Sequence, residues 1–167
     1  MTSGRNLTGH PFNWNPLAHL KVLVLAAVRS VLESRIALAR TAMEEAQAAA
    51  NSEEKSSAGD KYETSRAMSQ NQRDLNARQL LEARNALHNL ELCEGNGPFK
   101  KAFPGALIRT SDMLYFMGPG LGKLTLEDGT VFISMSAQAP MGQLLQGKKV
   151  GDKFLFQGKK GEIMEIS

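Results

Sequence analysis

The apolar pattern of residues 17–94 constrains this chain more than any other feature. Leu25, Val28, Leu32, Ile36, Ala39, Met43, Ala46 and Ala50 recur at spacings of three and four, which places them on one helical face with a near-heptad repeat. The side chains shrink along this stripe from Leu and Ile to Ala, leaving room for a partner helix to approach closely. A polar interruption follows at residues 51–66, NSEEKSSAGDKYETSR, rich in residues that favour turns and caps. A second stripe, Met68, Leu75, Leu80, Ala83, Leu87 and Leu90, then descends with Asn71, Gln72 and Asn76 across its middle. It ends before Gly95-Asn96-Gly97-Pro98, a strong stop and linker signal. Two apolar stripes converging on a polar turn predict a long antiparallel helical hairpin, a two-stranded coiled coil over residues 17–94 with its acidic tip near 51–63. Helices of about 33 residues each would project roughly 50 Å. Pro16 punctuates the start of the first helix. The second is expected to begin at Gly59 or Asp60, with Asp60 and Glu63 in its first turn, where carboxylates suit the helix dipole.

A two-helix hairpin has little core of its own and needs a larger body to anchor its base. Residues 105–167 supply the pattern of one. Short β-type segments at 106–110, 113–117, 123–126, 131–134, 154–156 and 162–166 are separated by turn signals at Glu127-Asp128-Gly129 and Gln157-Gly158-Lys159. A short helix is expected over 141–146, between Pro140 and Gly147, with Leu145, Val150 and Phe154 in the core. The fold class is therefore α+β, a helical hairpin followed by a small, mostly antiparallel sheet with one helix against it. Residues 95–104 read as a linker. Residues 1–16 lack periodicity and read as an N-terminal extension.

Charge narrows the partners. The net charge is +3 over 167 residues. Residues 1–97 hold eleven basic and eleven acidic side chains, whereas residues 98–167 hold nine and six. That excess is too mild and too dispersed in sequence to argue for direct nucleic-acid binding. The single cysteine, Cys93, excludes an intramolecular disulfide and suits a reducing compartment. No stretch approaches the roughly 20 apolar residues of a membrane helix. The apolar run at 22–28 has the length of a signal-peptide core but merges into the first helical stripe. A cytoplasmic monomer is expected.

Catalytic groupings are scarce. Three scattered histidines and one late cysteine make no Ser-His-Asp or Cys-His arrangement. The glycine-rich run at 118–122 lies between strands and lacks the Lys-Ser/Thr ending of a phosphate loop. The chemically suggestive group is at the tip, where Glu53, Glu54, Asp60 and Glu63 put four acids within eleven residues. Such a set can share a divalent cation with a partner's carboxylates. From spacing alone the favoured reading is a solvated turn in which Asp60 and Glu63 cap a helix.

The run from Ser136 to Asp152, SAQAPMGQLLQGKKVGD, resembles the C-terminal domain of the Gre transcript-cleavage factors. That family carries Ser-Pro-x-Gly-x-x-Leu-x-Gly-x-x-x-Gly-Asp, and the spacing from Pro140 through Asp152 matches. Gre factors combine an N-terminal antiparallel coiled coil with an FKBP-like C-terminal domain, so the resemblance extends over residues 17–167. At the coiled-coil tip they carry Gly-Asp-x-x-Glu, which this chain has as Gly59-Asp60-Lys61-Tyr62-Glu63. The family's following Asn-Ala-x-Tyr run is replaced by Thr64-Ser65-Arg66-Ala67, and the turn carries an additional Ser-Glu-Glu-Lys-Ser-Ser stretch.

The resemblance implies a function. The tip would enter the secondary channel of bacterial RNA polymerase, where Asp60 and Glu63, flanked by Glu53 and Glu54, help hold a second Mg²⁺ during hydrolysis of backtracked RNA by the polymerase itself. The chain would then have no cofactor of its own, would not be an enzyme alone, and would meet RNA or DNA only through the polymerase. Ser136, Pro140 and Gly142 carry over as docking residues, with a folding role as the competing reading. The departures at the tip leave open a factor that enters the channel and inhibits instead. Two further alternatives are a coiled-coil interaction module with no transcription role and a prolyl isomerase.

Overall fold

The computed structural model describes residues 15–53 and 59–167, and within them every side chain except those of 53 and 59–62. Helix α1 (Pro16–Glu53) and helix α2 (Gly59–Glu94) form the hairpin. Asn15 caps α1, its Oδ1 accepting the Leu17 and Ala18 N–H groups at 3.0 and 3.3 Å. Pro16 is thus the first helical residue, where its missing N–H costs nothing. Cross-helix bonds fix the antiparallel sense. Arg29 donates to Glu94 at 2.7 Å and Glu91 at 3.4 Å near the base, and Arg73 donates to Gln47 at 3.1 Å farther out. The charged bonds from Glu94 and then Glu91 raise the Arg29 pKa. No helix of the described residues is long and apolar enough to cross a membrane.

The sheet has six strands: β1 (Leu107–Thr110), β2 (Leu114–Met117), β3 (Gly122–Thr125), β4 (Val131–Met135), β5 (Lys153–Phe156) and β6 (Lys159–Ile166), with helix α3 (Pro140–Leu145) between β4 and β5. Its order is β3-β4-β2-β1-β6-β5. All pairings are antiparallel except β2 with β4, where Tyr115 faces Ile133. That parallel pair arises because residues 118–121 carry the chain out to the edge strand β3. The glycine-rich run is therefore a crossing loop, bonded to β4 from Gly118 N to Met135 O and from Leu121 N to Ser134 O.

Alternation along the strands gives the sheet two buried faces. Leu107, Leu114, Phe116 and Phe132 point to one face and pack with Leu17, Val24, Val28 and Leu32 of α1 and Leu90 of α2. Ala106, Ile108, Met117, Met135 and Ile163 point to the other, against Leu145 of α3 and Ala102. The hairpin base, the sheet and α3 make three layers. Val150, expected in this core, is 53% exposed. It sits in a tight turn between Gly147 and Gly151, both in left-handed conformations, where Asp152 accepts the Lys149 N–H and turns the side chain outward.

The hairpin departs from the sequence reading in two ways. Its packing against the sheet occupies α1 from Leu17 to Leu32, so the arm stands only roughly 32 Å beyond its anchored base, not the full helix length. The α2 seam also lies one residue away from the expected stripe over its distal half. Met68 and Leu75 are exposed, whereas Ser65 and Ser69 are half-buried and Asn76 is buried. Gln72 donates to the Asn76 amide oxygen at 3.2 Å. The true seam runs Ser65, Ser69, Asn76, Leu80, Ala83, Leu87 and Leu90, facing the narrowing α1 stripe. Small and polar residues dominate it beyond Leu80, so little apolar area holds the outer arm closed.

Opening free energy follows buried apolar contact. Amides of residues 40–50 and 63–76 should exchange with deuterium at least roughly tenfold faster than those of 22–32 and 83–92. Uniform protection along both helices, measured by exchange and mass spectrometry, would contradict this gradient.

Candidate functional site

Two places bring candidate residues together. The first is the hairpin tip. Glu53 is the last residue of α1, and Gly59 and Asp60 open α2. Glu63, one turn beyond Asp60, is exposed. Carboxylates at positions 60 and 63 lie where the unpaired N–H groups of a helix start favour negative charge. Glu54 lies outside the described residues, as do the side chains of Glu53 and Asp60. Among the described residues, no group of three or more His, Cys, Asp or Glu side chains is placed to hold a metal ion. Of the residues where the chain departs from the resembled motif, Ser65 is drawn into the seam and Arg66 and Ala67 face solvent.

The second place is the loop into α3. Ser136 organises it: the Ala139 N–H lies 3.1 Å from the Ser136 carbonyl and 3.2 Å from its hydroxyl. Pro140 starts α3 and is exposed. Gly142 is buried one turn on, so close to the Ser136 carbonyl and Ala137 that a β-carbon there would collide with backbone. Of the three docking candidates, Pro140 is therefore the exposed one, while Ser136 and Gly142 shape the loop.

Beside Pro140 opens a recess of about 510 Å³, lined by Tyr115, Met141, Phe154 and Phe156 with Asp112, Lys159 and Lys160 among its polar residues. Burial, and secondarily the nearby Asp112 carboxylate, push the Tyr115 phenol above its usual pKa. Sequence reasoning did not single out Tyr115 or Met141. The available signal was Tyr115, the one polar-tipped residue in the otherwise apolar strand LYFM. Phe116 and Phe132 are fully buried on the hairpin face, so the recess aromatics are Tyr115, Phe154 and Phe156.

Cys93 takes no part in either place. It is half-buried near the hairpin base, where burial raises its thiol pKa. Neighbouring Lys21, its pKa lowered by burial, stacks its ammonium 4.5 Å from the Phe99 ring centre. This cluster ties α1, the end of α2 and the linker together.

A scan against protein-family models finds no match to this chain, and a search of the curated proteins finds none.

The two α3-loop residues should separate experimentally. Gly142→Ala is expected to cost about 2–4 kcal/mol, because backbone must move to admit the methyl group. Pro140→Ala should stay within about 1 kcal/mol, since most residues tolerate the first helical position. Thermal melts of the two variants check this directly.

Proposed function

We propose that this protein is a Gre-like regulator of bacterial RNA polymerase that is not an enzyme by itself. The observation that carries the reading is the exposed Glu63, with Asp60 one turn before it, at the start of a helix whose tip stands roughly 32 Å beyond its anchored base. An arm of that form delivers carboxylates into a channel that the sheet domain is too wide to enter. The recess at Met141 would supply a concave seat of mixed aromatic and polar character for the polymerase surface, with Lys159 and Lys160 available to acidic neighbours.

Asp60 and Glu63 would share a Mg²⁺ ion with the polymerase's own acids, being hard oxygen donors of the type such an ion takes. When bound, that ion supplies Lewis-acid activation for phosphodiester hydrolysis. This chain's residues contribute negative charge at a defined point and displace solvent from the channel. The Ala-rich and Ser-rich outer seam keeps the arm slender enough for that role. If the altered tip sequence leaves the acids misplaced, occupancy of the channel by the same arm inhibits instead.

Asp60→Ala combined with Glu63→Ala is expected to lower stimulated cleavage in backtracked complexes by at least roughly tenfold, a transition-state loss of about 1.4 kcal/mol, with polymerase binding unchanged. Met141→Glu should do the reverse, weakening binding by burying a carboxylate in the recess. The reading fails if polymerase neither binds the wild-type protein nor changes its cleavage or initiation. A second reading rests on the aromatic recess, which would suit a proline side chain in an isomerase. A flat rate in a proline-peptide isomerisation assay removes it.

A further inference from the structure

The fold gathers lysines that the sequence keeps apart. Lys101 and Lys149 form an isolated antiparallel bridge, flanked by Ala102 N–H to Lys148 O and Gly147 N–H to Ala102 O, both 2.8 Å. Lys101 therefore faces Lys149 directly, while Lys148 lies opposite Ala102 and Lys100 opposite Val150, at the edges of the same corner. Lys100, Lys101 and Lys149 are exposed and Lys148 is half-buried. Directly opposed residues of an antiparallel pair sit about 5 Å apart at their β-carbons, and like charges there are destabilising.

Among the described residues, none of these four lysines joins a salt bridge. The acid of the same turn, Asp152, accepts the Lys149 N–H at 2.9 Å and offsets the repulsion only in part. An aromatic side chain completes the surface. Ala102 is fully buried, so the residues on either side of it point outward, and Phe103 is 43% exposed beside Lys101. A concentrated positive patch with an exposed ring is the combination that holds a single-stranded polynucleotide, with cations tracking phosphates and a ring receiving a base.

We propose that the surface centred on Lys101, Lys149 and Phe103, with Lys100 and Lys148 at its edges, binds single-stranded nucleic acid directly. Sequence charge counting misses it because Lys101 and Lys149 lie almost fifty residues apart. The surface is on the sheet domain, so this inference stands apart from the polymerase reading and from the tip acids.

The test is fluorescence anisotropy of the full chain with labelled oligo(rU) and oligo(dT) of about 20 nucleotides. Binding is expected at low salt, falling with a log–log slope near about −3 for four phosphate contacts. Lys101→Gln with Lys149→Gln should weaken it at least about tenfold and bring the slope to about −1.4. Phe103→Ala should weaken binding at least about fivefold with the slope unchanged. Lys123→Gln with Arg35→Gln removes equal charge elsewhere and should leave affinity intact. Asp60→Ala with Glu63→Ala should also leave it intact, so the two readings fail separately.

Preferential binding of rU over dT, or the reverse, supports the proposal either way. It is overturned by no binding to either strand at about 50 mM salt, or by equal loss in the Lys123/Arg35 control. Duplex DNA bound as tightly as single strands overturns it, as does binding to anionic phosphatidylserine vesicles with both oligonucleotides flat. Circular dichroism melts matching wild type show that each variant is folded.

Discussion

The burial of one sheet face beneath the hairpin base is the contact on which the rest of the molecule depends. Leu107, Leu114, Phe116 and Phe132 would otherwise present a continuous apolar surface to water, and α1 would expose Val24, Val28 and Leu32 on the side that α2 does not cover. Each buried aliphatic or aromatic side chain contributes about 1.5–3 kcal/mol. The junction thus outweighs anything the hairpin seam supplies beyond Leu80. Neither part is stable in isolation in this form, because each supplies the other's missing layer.

That arrangement has a dynamic consequence. The seam passes from Leu90, Leu87 and Leu80 through buried Asn76 to Ser69 and Ser65, opposite an α1 stripe that ends in alanines. A buried asparagine in such a seam favours one register at a cost in stability. Here its oxygen is already partnered by Gln72, which reduces the penalty of burial. The base is fixed by packing, whereas the outer arm is held by helix propensity and small side chains. The hairpin therefore keeps a narrow cross-section and a defined direction, with less packing energy along its outer half than at its base.

The fold was largely legible because its signals were periodic. Six strands, one short helix and two long helices all fall where alternation and turn residues place them, with ends shifted by one to three residues. Two expectations fail for one reason. Met68 and Leu75 read as seam, and Val150 as core, because they are apolar; yet an isolated apolar residue does not define a face. Over the distal half of α2 the face was carried by Ser65, Ser69 and Asn76, residues whose burial depends on the small partners opposite and leaves no hydrophobic signature. The recess was legible only in part for a different reason. Tyr115, Met141 and Phe156 come from three separate elements, and their meeting depends on the order β2-β1-β6-β5, which pattern alone does not determine.

The distinction between what the fold needs and what it does not need also weighs the resemblance. Most of the matching run at 140–152 is explained by the backbone: Gly142 admits the Ser136 carbonyl, Gly147 and Gly151 occupy left-handed turns, Asp152 holds the Lys149 N–H, and Leu145 fills the core beneath α3. Those residues would be required by any chain turning this corner, whatever it binds, so their match speaks for shape. Function has to rest on residues the structure could replace at little cost. Pro140 and Glu63 are exposed, and the opposed Lys101 and Lys149 work slightly against stability. A side chain that folding does not require, or even disfavours, is where selection for a partner leaves its clearest physical trace. By that criterion Glu63, Pro140 and the opposed lysines weigh more in the two proposals than the glycines, Leu145 and Asp152 of the matching run, which the corner itself requires.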